Sequence, residues 1–202
     1  MLLSTRRREL QEDYIKKQVF DEGGGFHYEY VYNNYFYEWD EPQSKLKSTR
    51  WLFGILEVIS LIIFLKAAFT LVPEEANGII AGLGMLSIIP WYFEIRGVGR
   101  FAAAKRPKKK KAFEEIQACL KIAGLVRAGM LAALVVIAFV LCSKAGTVNA
   151  SLILTMVNYL VTAGISVAVA LISRNLKTIA VPNIDGEPME NSASADTGIT
   201  TT

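Results

Sequence analysis

From residue 51 to residue 173, apolar positions in this chain do not alternate or recur as short amphipathic stripes. They gather into four long runs, near residues 51–72, 76–95, 122–142 and 148–173. Each run reaches the roughly 20 residues that a helix needs to cross about 30 Å of hydrocarbon. The pattern predicts an all-α integral membrane protein with four transmembrane helices. It divides the chain into a polar arm at 1–49, a membrane domain at 50–178 and a tail at 179–202. The tail is filled with Ser, Thr, Asp, Glu, Gly and Pro and is expected to be disordered.

The arm carries a different pattern. Up to Phe20 it offers a thin apolar line at Leu3, Leu10 and Tyr14, which suits a charged helix ended by Gly23, Gly24 and Gly25. Residues 26–40 then alternate aromatic and polar side chains about Asn33 and Asn34, a pair that tolerates the angles of a tight turn. This predicts a short β-hairpin in which Tyr32 faces Tyr35, Tyr30 faces Tyr37 and Tyr28 faces Trp39. An isolated hairpin is marginal in water, so this one needs a surface, and the lipid headgroup region is the nearest. The other face of such a hairpin would project His27, Glu29, Glu38 and Asp40, a donor set that suits a divalent metal. Opposed Glu29 and Glu38 repel without a cation, and solvated charges are the plainer reading. No metal site and no cofactor is assigned.

Charge sets the orientation. The 22 Lys and Arg exceed the 19 Asp and Glu only slightly, but they are unevenly placed. Between the second and third runs lie Arg96, Arg100, Lys105, Arg106, Lys108, Lys109, Lys110, Lys111 and Lys121, whereas the other two connections offer Glu74, Glu75 and Lys144. Positive loops stay cytoplasmic. With Lys45, Lys47 and Arg50 before the first run and Arg174 and Lys177 after the last, the expected topology is N-in, C-in, in the plasma (cytoplasmic) membrane. Residues 1–10 have no apolar stretch for a signal peptidase to follow, so the first span is expected to be its own insertion signal. The block at Lys105, Arg106, Lys108, Lys109, Lys110 and Lys111 precedes an expected interfacial helix at 112–121. It is a candidate contact for anionic lipid headgroups, at about 1 kcal/mol per residue near the surface. This clustering is a topology signal, and nucleic acid is not implied as a partner.

Candidate chemistry is sparse. Cys119 and Cys142 stand at opposite ends of the third run, roughly 34 Å apart along a helix, too far to join within one subunit. There is no paired His on a helix, no Gly-x-Ser-x-Gly and no phosphate loop, so no catalytic residue is assigned. The triplet Asn149-Ala150-Ser151 matches a glycosylation acceptor, but its loop is too short and too close to the membrane to serve as one.

The remaining signals are polar residues placed where lipid disfavours them. Glu57 and Arg127 each lie roughly 9–11 Å below the cytoplasmic edge of their runs, a depth at which an ion pair is expected. Lys66 is half a revolution from Glu57 and is expected to reach outward. In the fourth run Ser151, Thr155, Asn158, Thr162, Ser166 and Ser173 share one helical face and form a polar seam, which must face other helices or a wet path. Gly78, Gly82, Gly124, Ala128, Ala132, Gly164 and Ala168 suggest close packing of the spans. Pro90 frees the carbonyl of Leu86 and predicts a kink. Two functional classes fit. In the first, the chain is a non-enzymatic assembly or regulatory subunit that packs with copies of itself or with a larger membrane-protein partner. In the second, it is a small transporter or channel subunit whose path follows the seam and the Glu57/Arg127 site.

Overall fold

The computed structural model describes residues 14–20, 25–32 and 35–182. It is mostly helical, with four helices long and apolar enough to cross a membrane, at Gln43–Ala68, Glu74–Ala103, Lys110–Ala145 and Ala150–Arg174. Three of the four extend well beyond the apolar runs, because polar residues continue each helix past its apolar stretch. Helix α1, Gln43–Ala68, opens directly after Pro42, and Lys45 in its first turn pairs with Glu41 at 2.9 Å.

The second span is two consecutive helices, α2 at Glu74–Leu86 and α3 at Ile88–Ala103, joined through Ser87. The cause is local. Pro90 has no N–H to give Leu86, and its ring crowds that carbonyl, so the ladder breaks one turn before the proline. Ser87 Oγ takes up the carbonyl of Gly84 at 2.7 Å. Glu74 and Glu75 occupy the first turn of α2, where negative charge suits the helix dipole.

The third span has three parts: α4 at Lys110–Ala118, a π-helical turn at Cys119–Ala123 and α5 at Gly124–Ala145. The expected interfacial helix is therefore continuous with the span. Its 36 residues would reach about 54 Å, well beyond the thickness of a bilayer's hydrocarbon core. Gly146 ends α5 at φ +70°, with Thr147 N bonding back to the carbonyl of Cys142, as a glycine C-cap requires. Helix α6, Ala150–Arg174, begins on Asn149, whose side chain accepts the N–H of Leu152 at 2.8 Å.

Helix α6 packs against α1 and α5, α2 lies along α5, and α3 lies against α4 and the π turn. Two apolar cores result. One joins Phe64, Ile80, Leu131, Leu134, Leu152 and Tyr159, near the connections at 69–73 and 146–149. The other, at the opposite end, joins Trp39, Phe53, Phe101, Phe113, Leu120 and Val169.

The arm departs from expectation. Residues Tyr14–Phe20 are a strand, β1, not a helix. Their apolar line was too thin for a helix face, while Tyr14, Ile15, Val19 and Phe20 suit a pleated surface. Strand β2, Phe26–Tyr32, pairs antiparallel with β1, Tyr14 opposite Tyr32 and Phe20 opposite Phe26. Strand β3, Phe36–Trp39, does not pair with β2. It is the centre of a three-stranded antiparallel sheet between β4, Lys108–Lys109, and β5, Thr178–Val181. The expected pairing of Tyr28, Tyr30 and Tyr32 with Trp39, Tyr37 and Tyr35 is therefore not the one observed, and Glu29 pairs in register with Lys17 and Glu38 with Ile179. The tail expected at 179–202 is ordered over its first residues, because β5 pairs Ile179 with Glu38 and Val181 with Phe36. The parts of the arm and tail at 1–13 and 183–202 lie outside the described residues, as does the turn pair Asn33 and Asn34.

Trp39 found its surface within the chain. It is buried against Phe101 and Phe113, with ring centroids 4.8 and 4.6 Å away, and Tyr37 stacks on Phe113. The Asp40 N–H donates to the carbonyl of Lys177 at 3.0 Å, and Arg50 Nη2 donates to the carbonyl of Ala104 at 2.7 Å. The basic ends of all four spans thus meet at one end of the bundle. At the other end, Thr147 donates to Glu75 and Ser151 to the carbonyl of Leu71.

Candidate functional site

Between the two apolar cores lies a layer of buried polar side chains. Each helix supplies it by its own periodicity. Helix α1 buries Phe53, Glu57, Ser60 and Phe64 on one face, α3 buries Pro90, Glu94, Gly97 and Val98, and α5 buries Gly124, Arg127, Ala128 and Leu131. Helix α6 adds Ser166.

Arg127 is the centre, 1% exposed beside a fully buried Glu94. Arg127 Nη1 lies 3.4 Å from Glu94 Oε2 and donates to Ser166 Oγ at 3.2 Å, and that hydroxyl in turn donates to Glu94 Oε2 at 3.0 Å. The guanidinium carbon sits 4.8 Å from the centroid of the Trp91 ring and 5.9 Å from that of Phe64, so aromatic faces cover what the carboxylate does not. Trp91 Nε1 donates to Glu57 Oε2 at 2.8 Å. Glu57 therefore joins the layer through Trp91.

Close approach makes the cluster possible. A Cβ on Gly124 would lie 2.9 Å from the Ser166 carbonyl and 3.1 Å from Glu94 Oε1. A Cβ on Gly97 would lie 2.8 Å from Cys119 Cβ and 3.1 Å from Leu120 N, against the π turn. Only glycine lets α3 and α6 come this near to the third span. By contrast, a Cβ on Gly78, Gly82 or Gly164 would meet nothing within 4 Å, and Ala132 is exposed. The glycines that join the spans are not the ones at four-residue spacing within α2.

The expected residues divide as follows. Glu57 and Arg127 are both buried in this layer, but the ion pair that Arg127 makes is with Glu94. In the sequence Glu94 stands at the end of its apolar run, two residues before Arg96, a position that suggests headgroup level. Helix α3 continues to Ala103 and draws Glu94 inward. The signal was present, since Glu94 is the single charged residue in 76–95.

Along the seam, Thr155, Thr162, Ser166 and Ser173 are buried, and Ser151 and Asn158 are half-buried. Thr162 Oγ1 donates to the carbonyl of Asn158 and Ser173 Oγ to that of Ala170, each within its own helix. The seam faces neighbouring helices. Lys66 is exposed.

The basic block is split. Lys108 and Lys109 are half-buried in β4 opposite Tyr37 and Phe36. Lys105 instead borders a cleft of about 690 Å³ lined by Gln43, Lys47, Arg50, Trp51 and Ala102. Arg96 and Arg100 both pair with Glu115 on α4, at 3.0 and 2.5 Å. Among the described residues, no three His, Cys, Asp or Glu come together as a metal ion would need. No protein-family model, curated protein or solved structure matches this chain.

Proposed function

We propose that the chain is a small non-enzymatic assembly or regulatory subunit of the plasma (cytoplasmic) membrane, with both termini cytoplasmic. It would work through helix packing in the bilayer and through contacts of its cytoplasmic end, with copies of itself or with a larger membrane protein. One observation carries this reading: the polar seam of α6 is turned against α1 and α5, with Thr162 and Ser173 bonding back to their own helix and Ser166 to Glu94. Polar groups held in this way register helices. They leave lipid-facing surfaces to partners and a cytoplasmic end stiffened by the β4–β3–β5 sheet. The cleft of Lys47, Arg50, Trp51 and Lys105 at that end suits an anionic headgroup, with Trp51 at interface level.

Cysteine substitution along 151–173, in a background lacking Cys119 and Cys142, tests the reading with a membrane-impermeant thiol reagent. Positions 155, 162 and 166 should remain unlabelled. Continuous labelling down the seam would instead favour a transporter or channel subunit. That second reading draws support from Thr155 Oγ1 and Asn158 Nδ2, two seam atoms with no hydrogen-bond partner in the protein.

A further inference from the structure

The buried layer holds two carboxylates and one guanidinium. The titratable or charged groups facing it are Glu57 from α1, Glu94 from α3, Arg127 from α5 and the phenol of Tyr159 from α6, which packs on Phe64. Lys121, nearly two turns before Arg127, is engaged by Gln117. With every acid ionised, the layer would carry one uncompensated negative charge inside a bundle, a state that low-dielectric surroundings strongly disfavour.

Hydrogen bonding says which acid is the odd one. Glu94 accepts from both Arg127 and Ser166 on one oxygen, contacts that favour its ionised form. Glu57 accepts a single neutral N–H from Trp91 on Oε2, and its Oε1 is buried without a partner. Other buried polar atoms also lack a partner in the protein. Glu94 Oε1, Arg127 Nε and Arg127 Nη2 lie in the same layer, and Ser60 Oγ stands one turn along α1 from Glu57. Thr155 Oγ1 and Asn158 Nδ2 continue the series along α6. Orphaned donors and acceptors in one layer are what bridging water satisfies.

We propose that Glu57 is a proton-binding site: Oε1 takes one proton from hydronium, an O–H bond of which breaks to leave water as the carboxyl O–H forms, and the layer passes from net charge −1 to neutral. This goes beyond the assembly reading and does not depend on it. The protonated carboxyl becomes a donor as well as an acceptor, while Trp91 remains bonded to Oε2.

Trp91 is a built-in reporter, since it touches both Glu57 and Arg127. Replacing Trp39 and Trp51 by Phe leaves it as the single tryptophan of the full chain. In lipid nanodiscs, its emission should change with pH as a single-proton transition. Glu57→Gln, which mimics the protonated acid, should accumulate like the parent and abolish the transition, whereas Glu115→Gln should retain it. A second readout needs no variant of the site: with carbon-13-labelled Glu, the infrared C=O stretch of a protonated carboxyl should appear and disappear over the same pH range. Flat emission with no such band would overturn the proposal, as would a transition surviving in Glu57→Gln. Reproduction of the acid state by sodium ion at fixed alkaline pH, with choline as control, would assign the site to a small cation and overturn it equally.

Discussion

Helix α3 carries two sets of charge partners, and the better geometry belongs to the one with less at stake. Arg96 and Arg100 meet Glu115 at 3.0 and 2.5 Å, but their side chains and that of Glu115 are 37–45% exposed. Glu94 meets Arg127 at 3.4 Å, with both almost wholly buried. An exposed pair exchanges water for a partner of similar worth and contributes about 0–1 kcal/mol. A buried pair need not add net stability over an apolar replacement. Its members nevertheless depend on each other, because deleting one strands the other in a medium that cannot solvate it. Burial, not distance, decides what removal costs.

The largest expected effect follows from that dependence. Arg127→Gln or Glu94→Gln should each destabilise the bundle by about 3–5 kcal/mol, the range seen when one member of a buried pair is deleted. Unfolding in detergent or the level of accumulated protein would register it. The exchange Glu94→Arg with Arg127→Glu should regain part of the loss, while Glu57→Arg with Arg127→Glu should regain less.

Glycine tests the packing behind the pair. Gly124→Leu or Gly97→Leu would force the spans apart and should cost on the order of 1–3 kcal/mol or more, by the usual penalty of overpacking. Gly78→Leu and Gly82→Leu should be tolerated within about 0.5 kcal/mol, as substitutions into open surroundings are. A comparison of melting temperatures across the four variants checks both halves. Equal losses at all four positions would mean that α2 meets a partner that this single chain does not include.

The smallest effect belongs to the exposed set. Glu115→Gln should change stability by no more than about 1 kcal/mol. Whatever it does change should fade as salt rises, since the Debye length at about 0.15 M is roughly 8 Å. A loss as large as that of Glu94→Gln would erase the contrast between the two sets.

The spans were legible because length and apolarity are local properties. The fold of the seam was legible for the same reason: Thr155, Thr162, Ser166 and Ser173 share a face by arithmetic, and lipid leaves that face one direction to turn. The partner of Arg127 was not legible. Glu57 and Glu94 are both acids at plausible depth, and the choice between them rests on how far α3 runs past its apolar stretch and on the missing side chain of Gly124. The sheet was less legible still. Phe36–Trp39 has the composition of a strand, but its partners lie at Lys108–Lys109 and Thr178–Val181, and no local pattern announces a partner that distant. The neighbouring aromatic stretch was the nearest candidate, and β1 had already taken it.

Arg127 is held by Glu94 within the buried layer. A double-mutant cycle on the unfolding free energy, built from Glu94→Gln, Arg127→Gln and their combination, measures that coupling directly. The coupling should exceed about 1 kcal/mol and be larger than that of the matching Glu57/Arg127 cycle. Additive Glu94 and Arg127 effects, or a stronger coupling between Glu57 and Arg127, would contradict it.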